Sequence, residues 1–324
     1  YNTLMSHLVI IDGHAIAHRA YHSIPILTLD GQPVNAIYGF YSMLLSSIDT
    51  LKPSHLLVCL DSPGPNFRNE EFLGYRAKRA PADRALVSQL PLIPETLTSV
   101  GIPSISMGGY EADDLIGTLS CRASRLKNKK TKKDFFKKIT IITGDKDLMQ
   151  LVDSKTTLFV PIRGISESKI YDESGVKERL GVTPKQVIDL KALMGDMSDN
   201  YPGVAGIGPK TAINLLEKYQ NLDNIYQNLP QIKPLVREKL ENDRDNAYLS
   251  QKLATIVCNI PLKFKFKTAL LNQDKFLGLL SLFEEYNFKS LSSRLKKKLN
   301  NSPTSSKGAV RRTGGFNPNQ TSLF

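Results

Sequence analysis

The sequence predicts an α/β fold with a mainly parallel sheet, followed by an all-helical region and a flexible tail. In the first half of the chain, short apolar runs alternate with helical patterns, as in a parallel sheet whose strands are connected by helices. Beyond about residue 181, helical patterns separated by proline and glycine replace that alternation. From residue 300 onward Ser, Pro, Gly, Asn, Thr and Arg dominate, and such a segment has too little apolar content to order itself.

Four short apolar runs predict the strands of the sheet. They lie at 7–11, 55–60, 102–106 and 139–143, and the last of them, ITIIT, has the clearest strand pattern. Helical spacing of apolar residues predicts helices that lie between these strands or follow them, at 36–51, 111–125 and 146–152. In the second half of the chain we expect four more helices, at 184–193, 210–219, 234–258 and 274–286.

The positive charge of the chain is concentrated in two segments. The 324 residues include 43 Lys and Arg against 31 Asp and Glu, which gives a formal net charge of +12. The segments 124–138 and 294–324 each carry a surplus of seven positive charges, so the remainder of the chain has a net charge of −2. A basic surplus favours a polyanionic partner, most often nucleic acid, although many soluble proteins are simply basic.

Other features of composition exclude several classes of protein. No stretch approaches the ~18 apolar residues of a membrane span, and no secretion signal is visible at the N-terminus. The three cysteines form neither an even disulfide set nor a paired metal spacing, which suits a reducing cytosol. We therefore expect a cytoplasmic protein without membrane contact.

Acidic residues stand at the ends of three predicted strands. Asp12, Asp61 and Asp145 each follow an apolar run, and further acids form tight groups at 111–114, 145–147 and 196–199. Because ligands of parallel sheets bind beyond the carboxyl ends of the strands, we expect these acids to converge there. One such Asp could simply cap the next helix, but nine carboxylates in these places favour a site for hard divalent cations such as Mg²⁺ or Mn²⁺. Two such ions can promote phosphodiester hydrolysis.

A glycine-rich segment at 203–211 is consistent with a helix-hairpin-helix. Its glycine order does not match a dinucleotide-binding loop, and Pro209 interrupts the match to a Walker A loop. In a helix-hairpin-helix, Gly206 and Gly208 would let the backbone approach a phosphate, and Lys210 would add charge near the start of the following helix. An ordinary corner between two helices is the alternative.

The segment 62–81 mixes aromatic and basic residues between the second strand and the next helical pattern. Such mixtures suit single-stranded nucleic acid, through base stacking and phosphate contacts. The segment is long and has little core pattern, so it could cover the acidic edge as a lid. A solvated loop is the alternative.

Seven sequence blocks together resemble a known family. They are IIDG at 10–13, RAYHSIPILT at 19–28, GQPVNAIYGF at 31–40, FR…YRAKR at 67–79, YEADDLIGTL at 110–119, TGDKDLMQLV at 143–152 and GDMSDNYPGVAGIGPKTA at 195–212. The chain is thereby similar, over about residues 8–295, to the 5′→3′ exonuclease (flap endonuclease-like) domain of bacterial DNA polymerase I and its stand-alone relatives. The resemblance implies a PIN-like nuclease domain at 1–182 with a helical arch at about 62–81. It also implies a helical DNA-binding domain at 183–299, before the tail at 300–324.

The resemblance also implies roles for individual residues. All nine metal-ligating acids of the family are present, so we expect an active enzyme that uses two or more Mg²⁺ ions, with Mn²⁺ as a substitute. One metal group would comprise Asp12, Asp61, Glu111, Asp113 and Asp114, and the second Asp145, Asp147, Asp196 and Asp199. Arg76, Arg79 and Arg19 would hold the scissile phosphate. DNA contacts are expected from Arg68, Tyr75, Lys78, Gly203, Gly206, Gly208, Lys210 and Thr211, with K⁺ at the hairpin.

Three positions depart from the usual pattern of that family. His18 stands where Tyr is usual, Arg76 where Lys is usual, and Tyr201 where an aliphatic residue is usual. Arg keeps the charge of Lys but is bulkier and forked, so the rate or the phosphate geometry could differ. His14, His18 and His22 share one helix face, which allows zinc binding as an alternative to chance proximity to a phosphate site.

The sequence finally predicts substrates and partners. The resemblance implies hydrolysis of 5′ flaps, nicks and RNA-primed ends in primer removal and repair, in a bacterial protein that is monomeric and nucleoid-associated. A non-catalytic protein that binds branched DNA and a PIN-type ribonuclease are the alternatives. The final residues QTSLF resemble the motif that docks bacterial proteins on the sliding clamp, through Gln320, Leu323 and Phe324. A chance apolar terminus would look the same.

Overall fold

The computed structural model describes residues 6–129, 131–163 and 167–300. Six strands form one sheet in the order β5-β4-β1-β6-β7-β8, and β2 and β3 form a separate hairpin. The strands are, in chain order, β1 His7–Asp12, β2 Thr28–Leu29, β3 Gln32–Pro33, β4 His55–Cys59, β5 Ser104–Ile105, β6 Lys138–Ile142, β7 Thr156–Arg163 and β8 Glu167–Tyr171. All neighbours in the large sheet are parallel except β7 and β8, so the predicted mainly parallel sheet is confirmed.

Helices surround this sheet and make up most of the second half of the described chain. They are α1 Gly13–Ser23, α2 Asn35–Leu51, α3 Phe67–Glu71, α4 Arg84–Val87, α5 Leu92–Ser99, α6 Ala112–Arg125, α7 Glu173–Leu180, α8 Val187–Met194, α9 Pro209–Tyr219, α10 Leu222–Gln227, α11 Pro234–Asn242, α12 Arg244–Ala254, α13 Gln273–Glu285 and α14 Lys289–Asn300. Within the residues that the structure describes, no helix combines the length and the apolar character needed to cross a membrane.

The central strand β1 shows why the sheet is buried on both faces. Its residues are buried from end to end, and it pairs in parallel with β4 on one side and β6 on the other. Leu8 and Ile10 belong to one core cluster, whereas Val9 and Ile11 belong to another. This alternation follows from the two-residue period of a strand and is typical of a sheet covered by helices on both faces.

The two core clusters assign the helices to the two faces of the sheet. The first cluster joins Leu115 of α6 to Leu190 of α8 and Leu216 of α9, so the helical region packs directly against this face. The second cluster joins Phe40 of α2 to Phe283 of α13 and Leu295 of α14. The second half of the chain is thus helical as predicted, but its last two helices pack with α1 and α2 on the face opposite α8 and α9.

Several predicted elements differ from the structure in detail. The helix predicted at 234–258 is two helices, α11 and α12, separated at Asp243, whose carboxylate accepts a hydrogen bond from the Ala205 amide at 2.9 Å. The segment predicted as a helix at 146–152 forms a 3₁₀ turn, Asp147–Leu151. The antiparallel pair of β7 and β8 was not predicted, because β8 is short, mostly polar and without an apolar run.

The expected helical arch at 62–81 is less helical than predicted. It contains the five-residue helix α3 and then consecutive turns, and Arg76 adopts a positive φ of 55°. The backbone N–H of Arg76 donates to the carbonyl of Asp199 at 2.9 Å. The segment therefore lies against the carboxyl edge of the sheet, tied to the loop that follows α8.

Candidate metal centre and nucleic-acid interface

A cleft of about 1660 Å³ opens at the carboxyl edge of the parallel strands. Eight of the nine predicted metal ligands line it: Asp12, Asp61, Glu111, Asp113, Asp145, Asp147, Asp196 and Asp199. Basic residues of the segment 62–81 and of α1 line its other side. The convergence of acids from separate parts of the sequence follows from the topology, since β1, β4 and β6 are adjacent and parallel.

Asp12 is the innermost of these acids and is held in place by two hydrogen bonds. It ends β1 and caps α1, because its carboxylate accepts from the Ala15 amide at 3.1 Å. The Thr143 hydroxyl, at the end of β6, donates to its other oxygen at 2.8 Å. Burial, with smaller contributions from the nearby Asp61 and Asp145, raises the pKa of Asp12 to about 7 against these hydrogen bonds. A cation bound beside this buried carboxyl would stabilise its ionised form.

Asp61 and the start of α6 bring a second group of acids to the cleft. The Asp61 carboxylate accepts from the Ala112 amide at 2.8 Å, which joins the end of β4 to the first turn of α6. Burial raises the pKa of Asp113 well above its ordinary value, and the charges of Asp145 and Asp12 add to this effect. Asp113, in the first turn of α6, therefore lies near the acids that stand at the ends of β1 and β6.

Lys191 of α8 neutralises two acids on the opposite side of the cleft. Its ammonium lies 2.6 Å from Asp147 and also forms an ion pair with Asp196. Burial, together with the charge of Asp145, raises the pKa of Asp147 to about 6 although Lys191 opposes this effect. Burial also disfavours ionised Asp196, but hydrogen bonds from Lys191 and Ser198 outweigh it and lower the pKa of Asp196.

Arg76 neutralises two more acids from the covering segment. Its guanidinium lies 2.7 Å from a Glu111 oxygen, and its Nε donates to Asp199 at 2.9 Å. Arg76 and Lys191 thus pair with four of the eight carboxylates that line the cleft. These positive side chains offset part of the repulsion that the gathered acids create.

The structure supports a fit to divalent metal, with one qualification about geometry. Across the described ranges, no three His, Cys, Asp or Glu side chains are placed to hold a metal ion as they stand. However, the donors are oxygen atoms, which hard divalent ions prefer, and burial raises the pKa of several of them. The buried Tyr201 hydroxyl lacks a hydrogen-bond partner among the described residues, beside Asp145, Asp147, Asp196 and Asp199. These residues fit a divalent metal whose binding would displace Arg76 or Lys191 from the acids.

Asp114, the ninth predicted metal ligand, does not face the cleft. It is fully buried, and its carboxylate accepts two hydrogen bonds from the Arg68 guanidinium, at 2.7 and 2.8 Å. Its other partners are the amides of Glu111 and Val257. Asp114 therefore joins the covering segment, α6 and the chain after α12, and the structure corrects its expected metal role to a structural one.

Arg68 and Tyr75, which were expected to contact DNA, are also buried. Arg68 is 3% exposed, and beyond Asp114 it donates to the carbonyls of Leu253 and Thr255. Tyr75 is 4% exposed, and its hydroxyl donates to Glu111 at 3.1 Å. Neither side chain can reach DNA in this structure, so both expectations are corrected to buried contacts that position the covering segment.

The remaining basic residues of the predicted site do line the cleft. Arg79 and Lys78 are exposed on its rim, and Arg19 of α1 donates to the carbonyl of Ile162. His14 accepts a hydrogen bond from the Asp61 amide at 3.0 Å, and burial lowers its pKa. The His18 and His22 rings lie 4.5 Å apart, but in the described chain the three histidines do not form a metal site.

The predicted hairpin lies between α8 and α9, and its glycines have different roles. Gly203 has a φ of 63°, and a Cβ there would lie 2.1 Å from the Gly195 amide nitrogen, so it is needed for close backbone packing. Gly208 caps α9, and a Cβ there would meet nothing within 4 Å. Lys210 and Thr211, in the first turn of α9, lie beside that open space, with Lys210 exposed.

A neighbouring lysine affects the expected potassium site. The Lys239 ammonium donates to the Gly206 carbonyl at 3.0 Å. A potassium ion at this carbonyl would have to displace it, and K⁺ binding stays a prediction. The clamp-motif residues Gln320, Leu323 and Phe324 lie outside the described residues.

Sequence reasoning missed Lys191 and the partners of Arg76. Lys191 follows an ordinary helical pattern, and no local signal shows that α8 aims its ammonium between Asp147 and Asp196. The position of Lys191 five residues before Asp196 is the one clue, because the loop after α8 folds back on the helix.

Models of one family match most of the chain. The "5′-3′ exonuclease, N-terminal resolvase-like domain" matches residues 7–181, and the "5′-3′ exonuclease, C-terminal SAM fold" matches residues 182–276. The chain is 37% identical to the 5′-3′ exonuclease of Bacillus subtilis, over 81% of this chain and 87% of that protein. It is 42% identical to DNA polymerase I of Caldicellulosiruptor bescii, over 89% of this chain and 33% of that one. The chain thus spans about a third of the length of the polymerases that it matches.

Solved structures share the fold at low sequence identity. T5 5′-exonuclease with bound divalent metal ions superposes with a TM-score of 0.62 at 20% identity, covering 90% of this chain and 98% of that one. The catalytic core of Rad2 in complex with a DNA substrate gives a TM-score of 0.59 at 16% identity, covering 92% and 93%.

Proposed function

The chain belongs to the 5′-3′ exonuclease family, and from this premise we propose that it hydrolyses phosphodiester bonds at 5′ ends of branched DNA. The substrates would be 5′ flaps, nicks and RNA-primed ends, as in primer removal and repair. The observation that carries this proposal is the cleft at the carboxyl edge of the sheet, where eight carboxylates gather beside basic side chains. A protein that only bound DNA would gain nothing from so many acids facing its phosphates.

The cofactor in this proposal is Mg²⁺, with Mn²⁺ able to replace it. Asp12, Asp61, Glu111 and Asp113 would hold one ion, and Asp145, Asp147, Asp196 and Asp199 a second. When bound, such ions stabilise the attacking and leaving oxygens of the phosphodiester. The ion pairs that Arg76 and Lys191 form with these acids hold the acids close together.

Basic side chains on the rim of the cleft would position the scissile phosphate. Arg79, Lys78 and Arg19 line the cleft. Arg76 could bind the phosphate as well once a metal ion, instead of Arg76, neutralises Glu111 and Asp199. A guanidinium can donate two parallel hydrogen bonds to one phosphate, which orients it as well as attracting it. Arg76 would therefore exchange a carboxylate partner for a phosphate when substrate enters.

The hairpin between α8 and α9 would hold the duplex beside the cleft. The open space at Gly208 leaves room for a phosphate beside the start of α9, and Lys210 lies in the first turn of that helix. Such contacts fix the position of the protein on DNA without reading its sequence. A potassium ion at this hairpin belongs to the same proposal.

The cellular setting is also a proposal. We propose a monomer that acts at the nucleoid in the cytoplasm of a bacterium. Docking on the sliding clamp through Gln320, Leu323 and Phe324 would keep the protein near its substrates. Alanine at Leu323 and Phe324 should abolish binding of a tail peptide to the clamp, and unchanged affinity would refute this docking.

The enzymatic proposal is tested by incubating the protein with a labelled 5′-flap duplex, with Mg²⁺ or with a chelator. We expect cleavage near the flap junction that requires the metal, and no comparable cleavage of a blunt duplex of the same length. Binding without cleavage in Mg²⁺ would show the non-catalytic alternative. Cleavage confined to RNA strands would show a PIN-type ribonuclease.

A further inference from the structure

A second charged surface lies at the amino edge of the sheet, away from the cleft. It combines two segments that are distant in sequence, 124–138 and 259–272, of which residue 130 is outside the described chain. We define the amino-edge patch by six exposed lysines in these segments: Lys133, Lys137, Lys138, Lys263, Lys265 and Lys267. The sequence shows only the first segment as basic, so the patch becomes visible only in the fold.

Two kinds of contact fix the second segment, one to helix α6 just before the first segment and one to the first segment itself. The Arg122 guanidinium of α6 donates to the carbonyls of Leu262 and Phe264, at 2.6 and 3.2 Å. The Phe136 and Phe266 rings pack edge to face with their centroids 5.4 Å apart. Because Lys137 follows Phe136 and Lys265 and Lys267 flank Phe266 in sequence, the packed rings bring the lysines of both segments together.

The second segment presents its lysines by alternation. Lys263, Lys265 and Lys267 are exposed, whereas Phe264 is half-buried and Phe266 is buried between them. Lys265 has an extended backbone, in which side chains two residues apart point to the same side at a spacing of roughly 6.6 Å, and Lys267 lies in the 3₁₀ turn Phe266–Ala269 that follows. The row of ammonium groups is thus fixed by the phenylalanines that anchor its other side.

Acids do little to neutralise this patch. The segment 124–138 contains one acid, Asp134, which is paired with Lys127 and with Lys155 at 2.9 Å, and the segment 259–272 contains none. Within the described chain, the ion pairs do not involve the six lysines of the patch. Like charges brought together in this way are costly unless an external anion binds them.

The chemistry of the patch favours the backbone of a nucleic acid over an acidic protein. Lysine is depleted at the cores of protein interfaces, where aromatic residues and arginine are enriched. A row of exposed lysines instead suits regularly spaced phosphates. We propose that the amino-edge patch is a second DNA-binding surface, which contacts the sugar-phosphate backbone of a flanking arm without reading its sequence. This inference rests on the proposed function for the identity of the nucleic acid.

The position of the patch determines which part of the DNA it would contact. β6 begins at Lys138 within the patch and ends at Ile142, three residues before Asp145 of the cleft. The strand alone separates the two surfaces by roughly 15 Å. One helical turn of DNA is about 34 Å long, so a duplex arm of about two turns, or 20 base pairs, is long enough to reach the patch from the cleft.

The test compares two full-length variants in which the same number of charges is removed. The patch variant carries Lys133→Gln, Lys137→Gln, Lys265→Gln and Lys267→Gln. The control variant carries Lys177→Gln, Lys185→Gln, Lys289→Gln and Lys297→Gln, all at exposed positions outside the two segments. Binding to a 5′-flap duplex with arms of about 20 base pairs is measured with a chelator present, at salt concentrations from about 50 to 200 mM.

We expect the plot of log affinity against log salt to become shallower by about 0.9 for each phosphate that the protein no longer neutralises, or roughly 2–4 in total for the patch variant. The control variant should keep nearly the wild-type slope. Equal slopes for the two variants would overturn the proposal, and a patch variant with wild-type slope would leave an acidic protein as the occupant. Thermal unfolding of both variants checks that they are folded.

A second measurement separates this proposal from the proposed function. Single-turnover cleavage of saturating flap substrate in Mg²⁺ should be the same for wild type and patch variant, because the patch is outside the cleft. If the wild type does not cleave, the proposed function fails, while the slopes still decide whether the patch binds DNA. If it cleaves and the slopes are equal, only the patch proposal fails.

Discussion

The two edges of the central sheet carry opposite charges in different physical states. At the carboxyl edge, acids from β1, β4, β6 and their following loops share a cleft, and burial raises the pKa of Asp12, Asp113 and Asp147. At the amino edge, the six lysines of the patch are exposed to solvent. The fold therefore holds the acids together although burial and mutual repulsion disfavour their ionised form. The lysines remain hydrated, so their charged form carries no such penalty.

This difference indicates what each edge can do. Gathered, partly desolvated carboxylates bind a cation at a fixed place, which is what the positioning of a reacting phosphate requires. Exposed lysines attract a polyanion over a broad area but do not position one of its bonds. We infer that the carboxyl edge carries the chemistry and that the amino edge adds affinity.

The largest expected effect comes from removing one acid of the cleft. Asp145→Asn should lower the single-turnover rate of flap cleavage by about 10⁴-fold, because it removes charge from the centre of the acidic group. Flap binding measured in a chelator should persist, since the basic contacts with DNA remain. Retention of the wild-type cleavage rate would break the assignment of the cleft as the reaction site.

The next largest effect concerns the stability of the protein and distinguishes two adjacent acids, Asp113 and Asp114. Asp114→Asn should destabilise the protein by about 4 kcal/mol, because it removes the closer of the two charged partners of the buried Arg68 guanidinium and leaves only Glu111, at 3.4 Å. Asp113→Asn should instead raise the melting temperature of the metal-free protein at pH 8, because burial disfavours the ionised carboxylate that it replaces. Thermal unfolding in a chelator measures both changes.

The Asp113→Asn variant also serves as the functional control in this pair. It should lose cleavage although it is more stable, which separates a role in the reaction from a role in folding. Destabilisation by both substitutions would show that Asp113 is as structural as Asp114.

The smallest of these effects concerns pH. The folded-state pKa of Asp12 is about 7, above the value of about 4 in an unfolded chain, so the folded state binds this proton more tightly. The contribution of Asp12 to stability is therefore full below pH 4 and is lost as the pH rises to about 7. A rise in pKa from about 4 to about 7 corresponds to about 4 kcal/mol of stability. We expect Asp12 itself to account for about 3 kcal/mol, because it titrates together with neighbouring acids.

The Asp12→Asn variant isolates this effect from that of other titrating groups. Asn keeps an oxygen that can cap α1, so the free energy of unfolding of the variant should rise relative to that of wild type between pH 4 and pH 8. Mg²⁺ should remove most of the difference by stabilising the wild type more at pH 8 than at pH 5. A difference that does not vary with pH would contradict the raised pKa.

The sheet and the convergence of acids could be predicted because both depend on local patterns. Apolar runs such as HLVII give buried strands, and adjacent parallel strands place the residues that follow them at one edge. Of the nine acids that the sequence predicted to converge at this edge, eight line the cleft and Asp114 does not.

The errors concern residues whose role depends on distant partners. Arg68 and Tyr75 have the composition of a DNA-binding segment, yet they are buried because Asp114 and Glu111 pair with them. The break between α11 and α12 depends on the Ala205 amide, 38 positions before Asp243. The amino-edge patch likewise depends on the packing of Phe136 against Phe266. No local pattern contains these contacts.

The central claim is that the acids at the carboxyl edge form a divalent metal site. Anomalous diffraction from crystals of the protein soaked in Mn²⁺ tests it most directly, because manganese is located without reference to activity. We expect strong anomalous peaks in the cleft, within coordination distance of Asp113 and Asp145, and weaker peaks in crystals of the Asp145→Asn variant. A cleft without manganese, with Arg76 and Lys191 still paired to the acids, would contradict it.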